Sequence, residues 1–141
     1  MRIGSFGIYG YRGRQDWEWN KSFLHPSWSE VEEAIRRLDA NEYAGVGFVL
    51  EGVYDDGGGQ PSLHITGGQG QYLVSFSGGG GSSVEYVDPT RAGEEGLIAI
   101  VRRDQGVWAP AKHVCTDVEL VVAIARHVAE TGRSYPGVTW G

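Results

Sequence analysis

Residues 62–77 read Ser62-Leu63-His64-Ile65-Thr66-Gly67-Gly68-Gln69-Gly70-Gln71-Tyr72-Leu73-Val74-Ser75-Phe76-Ser77, two strand-length runs joined by a glycine turn. In the second run Tyr72, Val74 and Phe76 fall on one side and Leu73 and Ser75 on the other, the period-2 alternation of a strand half-buried in an antiparallel sheet. The same grammar extends outward. Val46 to Val53, Ser83 to Val87, Leu97 to Arg102 and Gly106 to Ala109 are also of strand length, and Val84 and Tyr86 alternate with Glu85. Asp55-Asp56-Gly57-Gly58-Gly59 and Gly78 to Gly81 supply turn chemistry between them, so the middle of the chain reads as a meander.

Helical signals lie on both sides of this block. Trp28, Val31, Ile35 and Leu38 recur at three and four residues behind Pro26, and either Ser27 with Glu30 or Ser29 with Glu32 has capping-box spacing, which predicts an amphipathic helix over about 28–39. A second helix is predicted from Thr116, with Glu119 completing a capping box, to a stop at Gly132. Its core stripe is Val118, Val121, Val122, Ala125, Val128 and Ala129, widened by Leu120 and Ile124. Pro136 ends any continuation, and Val138 and Trp140 are expected to pack back on the body. The opening, through Lys21, mixes aromatics, Gly10, Gly13 and charge, and reads as an edge strand and loop. The fold class expected is α+β, an antiparallel sheet of about five to six strands with two helices packed on one face.

At 141 residues the chain has the size of one domain, residues 1–141, with one core. The longest apolar runs, Gly45 to Leu50 and Leu97 to Val101, are far shorter than the ~20 residues a membrane helix needs. Met1-Arg2-Ile3-Gly4-Ser5 lacks the basic and apolar pattern of a secretion signal, so cytoplasmic residence is expected. The single Cys115 has no disulfide partner within the chain and is expected as an inert buried thiol. Net charge is -6, from 18 acids and 12 bases, which disfavours unassisted phosphate-backbone binding and suits a basic partner.

Catalytic signals are sparse. His25, His64, His113 and His127 sit in different elements without metal-ligand spacing, so neither a metal nor any other cofactor is expected. His113 and Cys115, two apart, would share one side of a strand as a nucleophile and base, but no oxyanion motif or orienting third residue accompanies them. The glycine clusters are followed by strands rather than helices, which marks hairpin turns rather than phosphate loops. Acidic residues gather in or beside loops, at Asp55, Asp56, Glu94 and Glu95 among others, where a solvated surface and a partner-binding patch are the alternatives. Trp17-Glu18-Trp19 places two aromatics on one side of an extended, charged stretch, the composition of an interface anchor. The partner-binding residues expected on chemistry alone are therefore Trp17, Glu18, Trp19, Asp55, Asp56, Glu94 and Glu95.

The helix end Ala129-Glu130-Thr131-Gly132, the tail Arg133-Ser134-Tyr135-Pro136-Gly137-Val138-Thr139-Trp140, the stretch Leu63 to Val74 and the helix start Trp28-Ser29-Glu30-Val31 together resemble the Imm-one family of bacterial polymorphic-toxin immunity proteins. The resemblance spans roughly residues 26–140. It implies a non-catalytic cytoplasmic inhibitor that binds a cognate toxin, often a nucleic-acid cytosine deaminase with a basic cleft, and occludes its active site. Within it Gly67, Gly68, Gly132, Pro136 and Trp140 read as fold-specifying. Two other classes stay open: a small hydrolase or transferase using His113 and Cys115, and a self-associating structural domain.

Overall fold

The computed structural model describes residues 3–12, 17–52, 59–80, 82–103 and 106–141, and of residues 17 and 18 the backbone alone. The elements run β1 (Ile3–Arg12), β2 (Trp17–Leu24), α1 (Trp28–Arg37), β3 (Gly45–Leu50), β4 (Ser62–Gly68), β5 (Gln71–Ser77), β6 (Ser83–Val87), β7 (Leu97–Val101), β8 (Val107–Pro110), α2 (Val118–Thr131) and β9 (Thr139–Trp140). Seven of the strands form one antiparallel sheet in the order β2-β1-β3-β4-β5-β6-β9, and β7 and β8 form a separate two-stranded ribbon.

The meander expected from residues 62–77 is present with Leu63 opposite Phe76 and Ile65 opposite Val74. Val46, Phe48, Leu63, Ile65, Tyr72, Val74 and Phe76 are buried on one face of the sheet, where both helices cover them. α1 contributes Val31, Ala34 and Ile35, and α2 contributes Val121, Val122, Ile124, Ala125, Val128 and Ala129. A continuous apolar layer of this kind is the main source of stability in an α+β domain.

Of the two capping boxes open in the sequence, Ser27 with Glu30 forms: Ser27 Oγ accepts the Glu30 N–H at 3.2 Å and Glu30 Oε1 accepts the Ser27 N–H at 3.0 Å. The second helix starts later than its spacing predicts. Cys115 and Tyr72 exchange both backbone hydrogen bonds, holding the chain extended, so the cap falls to Asp117, whose carboxylate accepts the Glu119 N–H at 2.9 Å. Gly132 closes this helix at φ 72°, a left-handed conformation that glycine adopts without Cβ strain. Trp140 packs back as expected, its indole N–H donating to the Tyr135 carbonyl at 2.9 Å and its ring against Phe76.

The sheet exceeds the five to six strands expected, mainly because the opening is a long hairpin rather than an edge strand and loop. β1 lies inside the sheet between β2 and β3. Gly10 reads as a strand breaker in sequence, yet here it lets two backbones approach: a Cβ on it would collide with the Glu42 carbonyl. A further difference is a second, smaller apolar cluster on the opposite face of the sheet, where Ala44, Ile100, Val101, Ala109 and Val114 pack with Tyr9, Tyr11 and Leu73. It seats the β7–β8 ribbon over part of that face.

Candidate protein-binding surface

The ribbon has two unlike sides. Leu97 pairs with Pro110, Ile98 with Ala109 and Ala99 with Trp108, so Ile98 and Ala109 face the sheet while Leu97, Ala99, Trp108 and Pro110 face outward. A register shift between Ala99 and Val101 then turns Ile100 and Val101 both inward, and both are buried. The anchoring is firm and the outward strip is left to solvent: Leu97 is 62% exposed and Trp108 55%. Trp108 and Leu97, opposite Ala99 and Pro110 on the same outward side of the two-stranded ribbon, make an apolar surface of the kind that marks a contact site.

Two of the acids expected at an interface border this strip. Glu94 and Glu95 are exposed in the segment that leads into Leu97. Glu94 accepts from Arg91 Nε at 2.7 Å, and that hydrogen bond holds its carboxyl below the ordinary carboxylate range, so it stays anionic.

Trp19, the other anchor expected, is engaged within the chain. Its indole N–H donates to the Glu42 carbonyl at 2.8 Å, its ring meets Tyr43 edge-on at 5.4 Å, and the Arg12 guanidinium lies over it at 4.4 Å. These contacts tie the outer strand β2 to the α1–β3 loop. Trp17 and Glu18 stand in β2 opposite Arg12 and Tyr11, and their side chains lie outside the described residues, as do Asp55 and Asp56. Sequence reasoning passed over Trp108 and Leu97. The available signal was period-2 alternation along the last two short runs, which sets Leu97 apart from Ile98 and Trp108 apart from Ala109, but which side of that ribbon faces solvent is not a local property.

The residues of the enzyme alternative are built differently from an activated pair. Cys115 is 1% exposed, its thiol donates to the Asp117 carbonyl at 3.6 Å, and burial pushes its pKa up, away from the nucleophilic thiolate. His113 sits in a 3-10 turn with Nδ1 3.0 Å from the Tyr86 carbonyl and 3.6 Å from a Glu85 carboxylate oxygen. Among the described residues no group of three or more His, Cys, Asp or Glu side chains is placed to hold a metal ion. No described helix is long and apolar enough to cross a membrane.

The part of the sheet the ribbon leaves uncovered, over β2, β1, β3 and β4, forms an open depression of about 530 Å³ whose lining includes Ser5, Gly7, Asn20, Ser22 and Val49. His64 stands in it with its ring over Gly47. Comparison with known proteins gives no match to any family model, to any curated protein or to any solved structure.

Proposed function

We propose that the chain is a non-catalytic binding protein that neutralises a cognate toxin domain, docking through the outward strip of the β7–β8 ribbon. The observation that carries this reading is the exposure of Trp108 and Leu97 on a ribbon whose inner side is locked into an apolar cluster. Presenting a large aromatic to water on a rigid element avoids the ordering entropy that a loop would lose on binding. Glu94 and Glu95 at the entry to the strip, and a net charge of -6, favour a basic partner and would steer its approach. A nucleic-acid-modifying enzyme such as a cytosine deaminase has the basic groove that fits this chemistry, and its identity as the partner rests on the family resemblance in the sequence. Covering its cleft would stop the reaction without any chemistry from this chain.

The test is reconstitution. Tagged protein is used to capture its partner from its own cells at low and high salt, the retained protein is identified, and the complex is rebuilt from purified parts. The expected outcome is a stoichiometric complex with a basic enzyme, burying on the order of 1,200–2,000 Å², in which deamination is abolished. A partner that binds yet keeps full activity would sink the inhibitory reading. Retention of nothing stoichiometric, with the toxin demonstrably present, would sink partner binding itself. A mass that doubles with concentration and no foreign partner would point instead to self-association through the same strip.

A further inference from the structure

β2 is the outer strand of the sheet and eight residues long, whereas the opposite border is the two-residue β9. Which of its backbone groups lie free follows from the register. The His25 N–H donates to the Gly4 carbonyl at 3.0 Å, while Tyr9 and Tyr11 turn their backbone groups the other way, to Ala44 and Asn41. Bonding in an antiparallel ladder alternates by two, so Lys21 and Phe23 bond back to Ile8 and Phe6, and Asn20, Ser22 and Leu24 direct their N–H and C=O groups outward. Among the described residues no loop or turn forms a backbone hydrogen bond with these three.

Beside this edge, α1 and the β1–β2 hairpin flank an open groove of about 140 Å³, floored by Phe6, Ile8 and Phe23 and walled by Ala34. An apolar space of about 150 Å³ takes up one benzene, so this groove has the size of a single leucine-like side chain. The charges on its helical rim are already engaged: Glu33 pairs with Arg37, and Glu30 Oε1 accepts the Ser27 N–H. Lys21 is different. It lies two residues before Phe23 on the same side of β2, its ammonium is 5.2 Å from the centre of that ring, and no ion pair among the described residues involves it.

We propose that the edge of β2 binds an extended acidic segment of a partner protein as an added antiparallel strand. Main-chain hydrogen bonds to Asn20, Ser22 and Leu24 hold the segment, and its alternate side chains are selected by the groove and by Lys21. The antiparallel direction continues the pairing of the whole sheet. In that direction the residue facing Phe23 comes two before the residue facing Lys21, so the order read is apolar, any residue, acidic: the apolar side chain enters the groove and the carboxylate meets the free ammonium. A second copy is a poor occupant. The two-fold register that sets Asn20 of one copy against Ser22 of the other brings the two Lys21 side chains face to face, and like charges directly opposite destabilise a sheet.

The experiment is NMR on the full chain at constant ionic strength, with short threonine-rich peptides carrying Leu-Thr-Glu, Glu-Thr-Leu or Leu-Thr-Lys at their centre as separate probes. In the free protein the Asn20, Ser22 and Leu24 amides are expected to exchange with solvent fast and those of Lys21 and Phe23 slowly. The Leu-Thr-Glu peptide is expected to bind saturably and to slow exchange at Asn20, Ser22 and Leu24, with the other two peptides about tenfold weaker. Lys21→Glu, at an exposed position, is expected to invert the preference, so that Leu-Thr-Lys binds about tenfold tighter than Leu-Thr-Glu. Slow exchange at the three edge amides of the free monomer, or no saturable binding of Leu-Thr-Glu, would overturn the site. Equal binding of Leu-Thr-Glu and Glu-Thr-Leu would overturn the direction of the added strand, and an uninverted preference in Lys21→Glu would overturn the role of Lys21. A mass that doubles with concentration as the edge amides become protected would make a second copy the occupant and overturn the acidic partner. None of these outcomes depends on whether a toxin binds the ribbon, which packs on the opposite face of the sheet.

Discussion

Trp108→Ala separates the outward side of the ribbon from its inward side. Trp108 keeps 55% of its surface open; on a residue that buries roughly 250 Å² when fully covered, about 140 Å² remains for a partner to take up. At ~25 cal/mol per Å² this is on the order of 3 kcal/mol, or about a hundredfold in Kd. The truncation is therefore expected to raise Kd about a hundredfold by calorimetric titration against the purified partner, mostly through faster dissociation. Its cooperative thermal transition should survive, since the ribbon is seated by Ile100, Val101 and Ala109 rather than by Trp108. The control is Ile100→Ala on the same strand, where Ile100 is buried: a loss of about 2–5 kcal/mol in folding stability is expected from urea unfolding. A folded Trp108→Ala protein that binds within twofold of the parent would refute the assignment of this strip to the interface.

Other consequences are open to direct measurement. Gly10→Ala drives a Cβ into the Glu42 carbonyl, so the α1–β3 loop must move away from β1; a destabilisation of about 1–3 kcal/mol is expected in denaturant unfolding, and an unchanged midpoint would disprove the close approach. The bidentate contact of Arg36 with Glu119, at 2.7 and 3.0 Å, links the two helices and lowers the Glu119 pKa. A carboxylate depressed in the folded state adds stability above its unfolded pKa of about 4.3 and loses it as pH falls through the lower folded value. Urea midpoints should thus decline below about pH 4.5, and Glu119→Gln should flatten that slope; identical pH profiles for the two proteins would contradict the linkage. The buried Cys115 thiol, with its pKa raised, should react with iodoacetamide at pH 8 far more slowly in the native protein than in the unfolded one, and comparable rates would show that the thiol is reachable.

Much of the fold was legible in the sequence because it is written in local periodicity. Alternation at Tyr72, Val74 and Phe76 predicts a strand, recurrence at Val31, Ile35 and Leu38 predicts a helix face, and Gly132 predicts where the second helix stops. Each rests on neighbours within a few residues. The opening hairpin was misread for a reason that is also physical. Glycine breaks strands on average, but Gly10 is a strand interior where a backbone from the α1–β3 loop comes too close for any side chain, and that neighbour is some thirty residues away in sequence.

The candidate surface divides along the same line. That residues 97–102 and 106–109 form short strands, and that the segment before them is acidic, follows from composition and alternation alone. Which of their side chains meet water follows from the packing of the ribbon on the second face of the sheet and from the shift near Ile100 that places two consecutive residues inside. Trp19 and Trp108 are the same residue type in similarly extended segments; one is partly covered by Glu42, Tyr43 and Arg12, and the other is left more than half exposed. Local sequence specifies which backbone conformation a segment prefers, whereas solvent exposure is set by whatever distant surface happens to cover it, and only the tertiary structure decides that.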